Sequence, residues 1–275
     1  VSTRVAIQYV IEQRFAVALS LPTHWVRLSP APQARANITA YSIAVHPPQH
    51  FLNWIRDPFE NQLARLDLPE PIPGLRIAIE LIAELDPINP FDFLTEPYAA
   101  AHPFEYPAQL AKELAPYLQA ATPGPRMRAW LEQLDRTPIS TVERLDGLNQ
   151  KLRAAHAFGA AAKPGFVDPE VVLQRGSPTA WELAWLLTLT LRHLGLASRF
   201  VCGLRVSLGE DDVPDTATLH AWSEAYIPGA GWIGLDPESG LFCSECHIPF
   251  AAAPDPLRAL PVAGELDGFE VTQVE

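Results

Sequence analysis

Positions 180–194 constrain this chain more than any other stretch. Leu183, Trp185, Leu186, Leu187, Leu189 and Leu191 leave almost no polar side, and a helix that is apolar nearly all round has to be covered on every side. Its start is marked in the sequence. Thr179 and Glu182 have the threonine-x-x-glutamate spacing of a reciprocal cap, which makes Ala180 the first helical residue, and Gly195 suits the position just past the end. A buried helix needs other layers around it, so the segments on either side must supply a core of their own. At 275 residues, with 48% apolar and 19% charged side chains, the chain has the material for two modest folded domains.

The flanking pattern supplies those layers. Runs at 4–11, 38–45, 62–68 and 75–82 mix apolar alternation with Pro, Asn and Gly, which predicts short strands in a sandwich-like N-terminal domain. Pro87, Pro90, Pro97, Pro103 and Pro107 then deny backbone donors, and the junction is placed there, giving domains 1–98 and 99–275. Apolar residues three and four apart predict helices at 107–117, 125–134 and 141–158, and strands return at 199–207, 219–227 and 231–236. The fold class is therefore α+β, with the buried helix packed on an antiparallel sheet. From Ala252 onward the chain is rich in Pro and Ala and is expected to wrap the surface or fray.

Alternation over 219–227 puts His220, Trp222, Glu224 and Tyr226 on one strand face; Pro228-Gly229-Ala230-Gly231 turns the chain, and Asp236 closes the next strand. A turn centred on residue 228 sets His220 opposite Asp236, and one centred a residue later staggers them. An aspartate beside a histidine fixes the imidazole tautomer and supports a general base; it also serves as a plain structural hydrogen bond. A helix start such as Ala180's, with free amides and the positive end of the dipole, would favour a thiolate and then an oxyanion. Ala180 carries no thiol. Trp181, Trp222 and Trp232 line a groove or fill the core.

A net charge of −12 and a pI near 5.1 count against nucleic-acid binding, which needs phosphates neutralised by Lys and Arg. The apolar runs are too short for a membrane span, and a cytoplasmic setting is the expectation. Cys243-Ser244-Glu245-Cys246-His247 spells the attachment pattern of c-type haem. That chemistry needs an oxidising compartment, so the match reads as coincidence. Zinc held with Cys202 as a third ligand is the other option, and a small buried residue is the simpler account of Cys202. Neither cofactor nor metal is expected.

Taken together, several segments resemble the bacterial transglutaminase-like superfamily, in the branch with its own β-rich N-terminal region. They are Gly176-Ser177, Ala184-Trp185-Leu186, Leu191-Arg192-His193-Leu194-Gly195-Leu196-Ala197, Arg199-Phe200-Val201, Leu219-His220-Ala221-Trp222 and Gly231-Trp232-Ile233-Gly234-Leu235-Asp236-Pro237. The N-terminal half joins them through Asn53-Trp54, Asp57-Pro58, Leu63-Ala64-Arg65 and Asn89-Pro90-Phe91-Asp92-Phe93. The resemblance implies a papain-like core with a Cys–His–Asp triad that attacks amide bonds through a thioester, for hydrolysis or acyl transfer. It assigns His220 as base, Asp236 as its orienter and Ala180 as the nucleophile's position, with Thr179, Trp181 and Trp222 as oxyanion or substrate candidates. Pro178, Thr179, Trp181, Glu182 and Leu183 depart from the family's pattern around the cysteine. The alanine is either an engineered replacement, which the retained His220 and Asp236 favour, or the mark of a naturally inactive member that only binds. Implied partners are a peptide or amino-acid conjugate and an ATP-grasp-like ligase.

Overall fold

The computed structural model describes residues 2–155, 168–209 and 214–264. Before the Pro-rich segment come β1 (Thr3–Leu19), β2 (His24–Val26), β3 (Asn37–His46), β4 (Phe51–Arg56), β5 (Gln62–Asp67) and β6 (Ile72–Leu85). β6 is the centre of a three-stranded sheet, with β1 on one side and β3 on the other. Its alternation works as expected of a strand with one covered face: Leu75, Ile77, Ile79 and Leu81 are buried, and Glu80 and Glu84 bond outward to Gln8 and Asn37. β4, β5 and β2 form a second sheet, and both sheets feed one apolar core that includes Val5, Val45 and Ile77 from the first and Val26, Ala64 and Leu66 from the second. This is the sandwich-like arrangement of the N-terminal half.

After the Pro-rich segment come β7 (Ala101–His102), α1 (Ala108–Glu113), α2 (Ala115–Leu118), α3 (Pro125–Glu132), β8 (Ile139–Ser140), α4 (Thr141–Ala155) and α5 (Pro169–Arg175). The predicted helix at 107–117 is two pieces, because Pro116 falls in the first turn of α2 and restarts the chain. The predicted helix at 141–158 is seen as α4, and positions 156–158 lie outside the described residues. α6 (Ala180–His193) is the apolar helix, and its cap is reciprocal: Thr179 Oγ1 accepts the Glu182 N–H at 3.2 Å, and Glu182 Oε2 accepts the Thr179 N–H at 2.8 Å.

α6 packs on an antiparallel sheet built from β9 (Ser198–Ser207), β10 (Thr216–Ile227), β11 (Gly231–Asp236), β12 (Leu241–Phe242) and β13 (His247–Ala253), in the order β12-β11-β10-β9-β13. The helix lies over alternate residues of the central strands. Trp181 and Ala184 cluster with Phe200, Cys202 and Ala221, and Ser223 donates to the Ala184 carbonyl at 3.0 Å. Leu183, Leu186, Leu187 and Leu191 share a second cluster with Ala225, Ile227, Ile233 and Leu235.

Of the segment from Ala252, expected to wrap the surface or fray, positions 252–264 are built into the fold, and positions 265–275 lie outside the described residues. Ala252 and Ala253 are buried in β13, Pro256–Ala259 makes a short 3-10 turn with Ala259 fully buried, and β14 (Val262–Ala263) pairs with β2. Pro249 sits where β13 breaks register with β9 at the sheet's edge, a place where proline's missing N–H costs no ladder bond. β14 completes the order β14-β2-β5-β4, so the last described strand belongs to the N-terminal half, and Leu204, Val206, Ile248 and Phe250 enter its core.

Candidate functional site

The β10–β11 hairpin decides the site's geometry. Ile227 pairs with Gly231 and Ser223 with Leu235, so the turn is centred on Gly229, which has φ 90° and suits only glycine without strain. That is the staggered register: the position opposite Asp236 is Trp222, two residues beyond His220 and on the same face. The carboxylate reaches His220 on the diagonal, with Nε2 3.1 Å from Asp236 Oδ1, although the ring is not turned for a straight hydrogen bond. His220 Nδ1 lies 3.5 Å from Glu238 Oε2. Each imidazole nitrogen therefore faces a carboxylate.

Asp236 is fully buried and heavily partnered. Oδ1 accepts the Glu238 N–H at 3.0 Å; Oδ2 lies 3.4 Å from both Arg205 Nη1 and His247 Nε2. Burial alone would push this carboxyl up, but hydrogen bonds and charges from His220 and His247 outweigh it and hold Asp236 well below the usual carboxylate range. Arg205 also reaches Glu238 at 2.6 Å. Trp222 stacks beside His220, with centroids 6.4 Å apart, and meets the His247 ring edge-on at 5.3 Å. Sequence reasoning missed His247, Arg205 and Glu238 as members of this cluster.

His220, Asp236 and His247 offer ligand atoms within 4.8 Å of one another, the one grouping among the described residues that could hold a metal ion. The donor set does not fit. His247 Nδ1 accepts the Ser244 N–H at 3.2 Å, so the neutral ring carries its proton on Nε2, the atom facing Asp236. A ligating histidine needs the reverse, with its far nitrogen donating, and the Arg205 guanidinium adds positive charge where a cation would sit. The cysteines do not converge either: Cys202 lies with Trp181 and Ala221 under α6, and Cys243 lies with Val201 and Trp222 on the other face. Burial pushes the thiols of Cys202, Cys243 and Cys246 up.

The remaining candidates divide between the two faces. Ala180 opens α6 half-buried, Thr179 is engaged in the cap, and Trp181 is buried with its ring 5.8 Å from Phe200. All three sit at the helix start, over the face that carries Ala221 and Ser223. Trp222 alternates to the opposite face with His220 and Asp236, in a separate cluster. Glu182, 6% exposed, is paired with Arg175 of α5 as well as closing the cap.

This architecture has a known class. Residues 5–84 match the bacterial transglutaminase-like N-terminal region, and residues 128–237 match the transglutaminase-like superfamily. The two matches cover well over half of the chain, which belongs to the transglutaminase-like superfamily. The uncharacterized protein Rv2569c of Mycobacterium tuberculosis is 24% identical over 250 residues, 86% of this chain and 79% of its own length. Mb2599c of Mycobacterium bovis matches to the same extent. Among solved structures, a candidate cysteine protease from Cytophaga hutchinsonii superposes with a TM-score of 0.68 at 14% identity, over 100% of this chain and 96% of its own. At that identity the likeness speaks for the fold, a β-rich N-terminal region followed by a helix-on-sheet core. No helix among the described residues is long and apolar enough to cross a membrane.

Proposed function

We propose that this chain uses a transglutaminase-like site as a binding surface for a peptide or amino-acid conjugate and performs no thiol chemistry on it. One observation carries the reading: the first residue of α6, where the resemblance places a nucleophile, is Ala180. At position 180 a methyl group has no lone pair to attack a carbonyl. Of the amides at the helix start, those of Thr179 and Glu182 are engaged in the cap, and the Glu182 carboxylate that closes it is also paired with Arg175. On the other face, both nitrogens of His220 lie against carboxylates, Asp236 and Glu238, which leaves neither directed at a thiol proton.

A second reading has its own support in the 3.1 Å approach of His220 to Asp236. In it the parent site is a thiol amidase or acyltransferase: a cysteine at position 180 attacks an amide carbonyl, His220 takes the thiol proton and returns it to the leaving amine, and Asp236 holds the ring. Water or an amine then resolves the thioester. Ala180 is an engineered replacement in that account, and Thr179, Trp181 and Trp222 contact the substrate. A cytoplasmic setting and an ATP-grasp-like ligase partner accompany it.

Ala180→Cys separates the two. Under the binding reading, iodoacetamide labels the new thiol at neutral pH no faster than a model thiol of pKa about 8.5, and His220→Ala changes nothing. Labelling about tenfold faster than that, lost with His220→Ala, would put the enzyme reading in its place.

A further inference from the structure

Beside the His220 cluster, on the face away from α6, lies a cavity of about 220 Å³ lined by Arg35, Arg199, Trp222, Glu224, Trp232 and His247, among others. It is smaller than the roughly 300–1,000 Å³ typical of drug-sized ligands, and suits a single amino-acid residue. Its charges are unequal. Arg199 Nε and Nη2 both reach Glu224 Oε2 at 2.6 Å, so this pair cancels, and the Arg199 guanidinium lies 4.2 Å over the Trp232 ring. Arg35 forms no ion pair with any described residue. Among the described residues the lining thus keeps one unmatched cation, in a chain whose net charge is −12.

The backbone that carries Arg35 is held in place. Ala31 and Ala36, on either side of it, are buried, and the Ala31 N–H donates to the Pro249 carbonyl at 2.7 Å. The guanidinium charge acts on the Cys243 thiol at the cavity wall, lowering it against the larger upward push of burial and of Asp236 and Glu224. Because both Arg199 contacts fall on Oε2, Glu224 Oε1 is left to accept an N–H from a ligand.

We infer that this cavity binds the C-terminal residue of a peptide or amino-acid conjugate: Arg35 takes the free carboxylate, Glu224 Oε1 accepts the residue's amide N–H, and Trp222 and Trp232 wall its side chain. The inference rests on the ligand class proposed above and narrows it to chains with a free terminal carboxylate. It also gives the N-terminal half a part in recognition, since Arg35 precedes β3.

The test uses N-acetyl dipeptides spanning all standard C-terminal residues, each as free acid and as carboxamide, titrated by calorimetry against the whole chain up to millimolar concentration. At least one free acid should bind saturably, with its carboxamide weaker by about tenfold or more, because a charge-assisted bond is lost. Arg35→Glu should abolish acid binding without moving the thermal midpoint, since Arg35 is exposed and has no ion-pair partner among the described residues. Acid and amide binding alike, or an affinity within about twofold after Arg35→Glu, overturns the carboxylate anchor while the peptide-binding reading survives. Saturation by none of the probes overturns both.

Discussion

The two faces of the C-terminal sheet are made by the same strands and are held together by different physics. Ala221, Ser223 and Ala225 on β10 meet α6 through close apolar packing, with the few hydroxyls bonded inward, as Thr188 and Ser223 are to the Ala184 carbonyl. One residue out of step, His220 and Trp222 meet Asp236 and His247, with Arg205 and Glu238 extending the charges toward solvent, and Glu224 pairs with Arg199. The first face tolerates change in proportion to volume lost; the second depends on every charge keeping its counterpart. A fold can thus present a rigid apolar foundation and a charged working surface within one layer of backbone.

The largest expected effect breaks the charged face. Asp236→Asn removes the common partner of His220, His247 and Arg205 and should cost about 3–5 kcal/mol in urea unfolding. It should also change the acid limb. Asp236 is depressed in the folded state, so its stabilisation is complete above the unfolded value of about 3.9 and drains as the pH falls below that toward the folded value. The wild type should therefore lose stability more steeply than Asp236→Asn below about pH 4; parallel acid limbs would mean that the carboxylate is not held as described.

The apolar face should respond by cavity. Leu187 is fully buried under α6, and Leu187→Ala should cost about 2–5 kcal/mol with no change in the pH profile. A pH-dependent loss at this position would show that the two faces are coupled through the sheet. The smallest effect belongs to the helix start: Thr179→Ala removes the cap's acceptor and should cost about 1 kcal/mol, read from the urea midpoint. If it costs nothing, the cap does not set the start of α6, and the Thr179 and Glu182 amides are not held there by it.

Local patterning made much of this legible. α6, its cap, and β9 to β11 follow from period and spacing, and His220 and Asp236 stood out as partners because a short turn joins their strands. The choice between two registers did not follow, since it rests on Gly229 taking a left-handed conformation rather than on any apolar pattern. His247 and Arg205 were invisible as site members because they meet only where β13 pairs with β9, some forty residues apart in sequence. β4 was missed because exposed side chains on both of its faces, Phe51, Trp54 and Ile55 among them, erase the alternation. The start of the tail, up to residue 264, is hard to read because Pro254, Pro256 and Pro261 look like breakers until β13 and β14 are seen at sheet edges.

The pairing of β14 with β2 bears on the order of events during synthesis. β2 is a three-residue strand with β5 on one side, and its other edge receives a partner only from Val262 and Ala263. On the ribosome, where chains emerge from the N-terminus at about 5–20 residues per second, that edge waits through more than 230 residues of elongation. The first half of the molecule cannot close its second sheet until the other half has been made. A contact of such separation in sequence is a slow one to form, and a nascent chain halted before residue 262 should show β2 and β5 less protected from hydrogen exchange than β1 and β6.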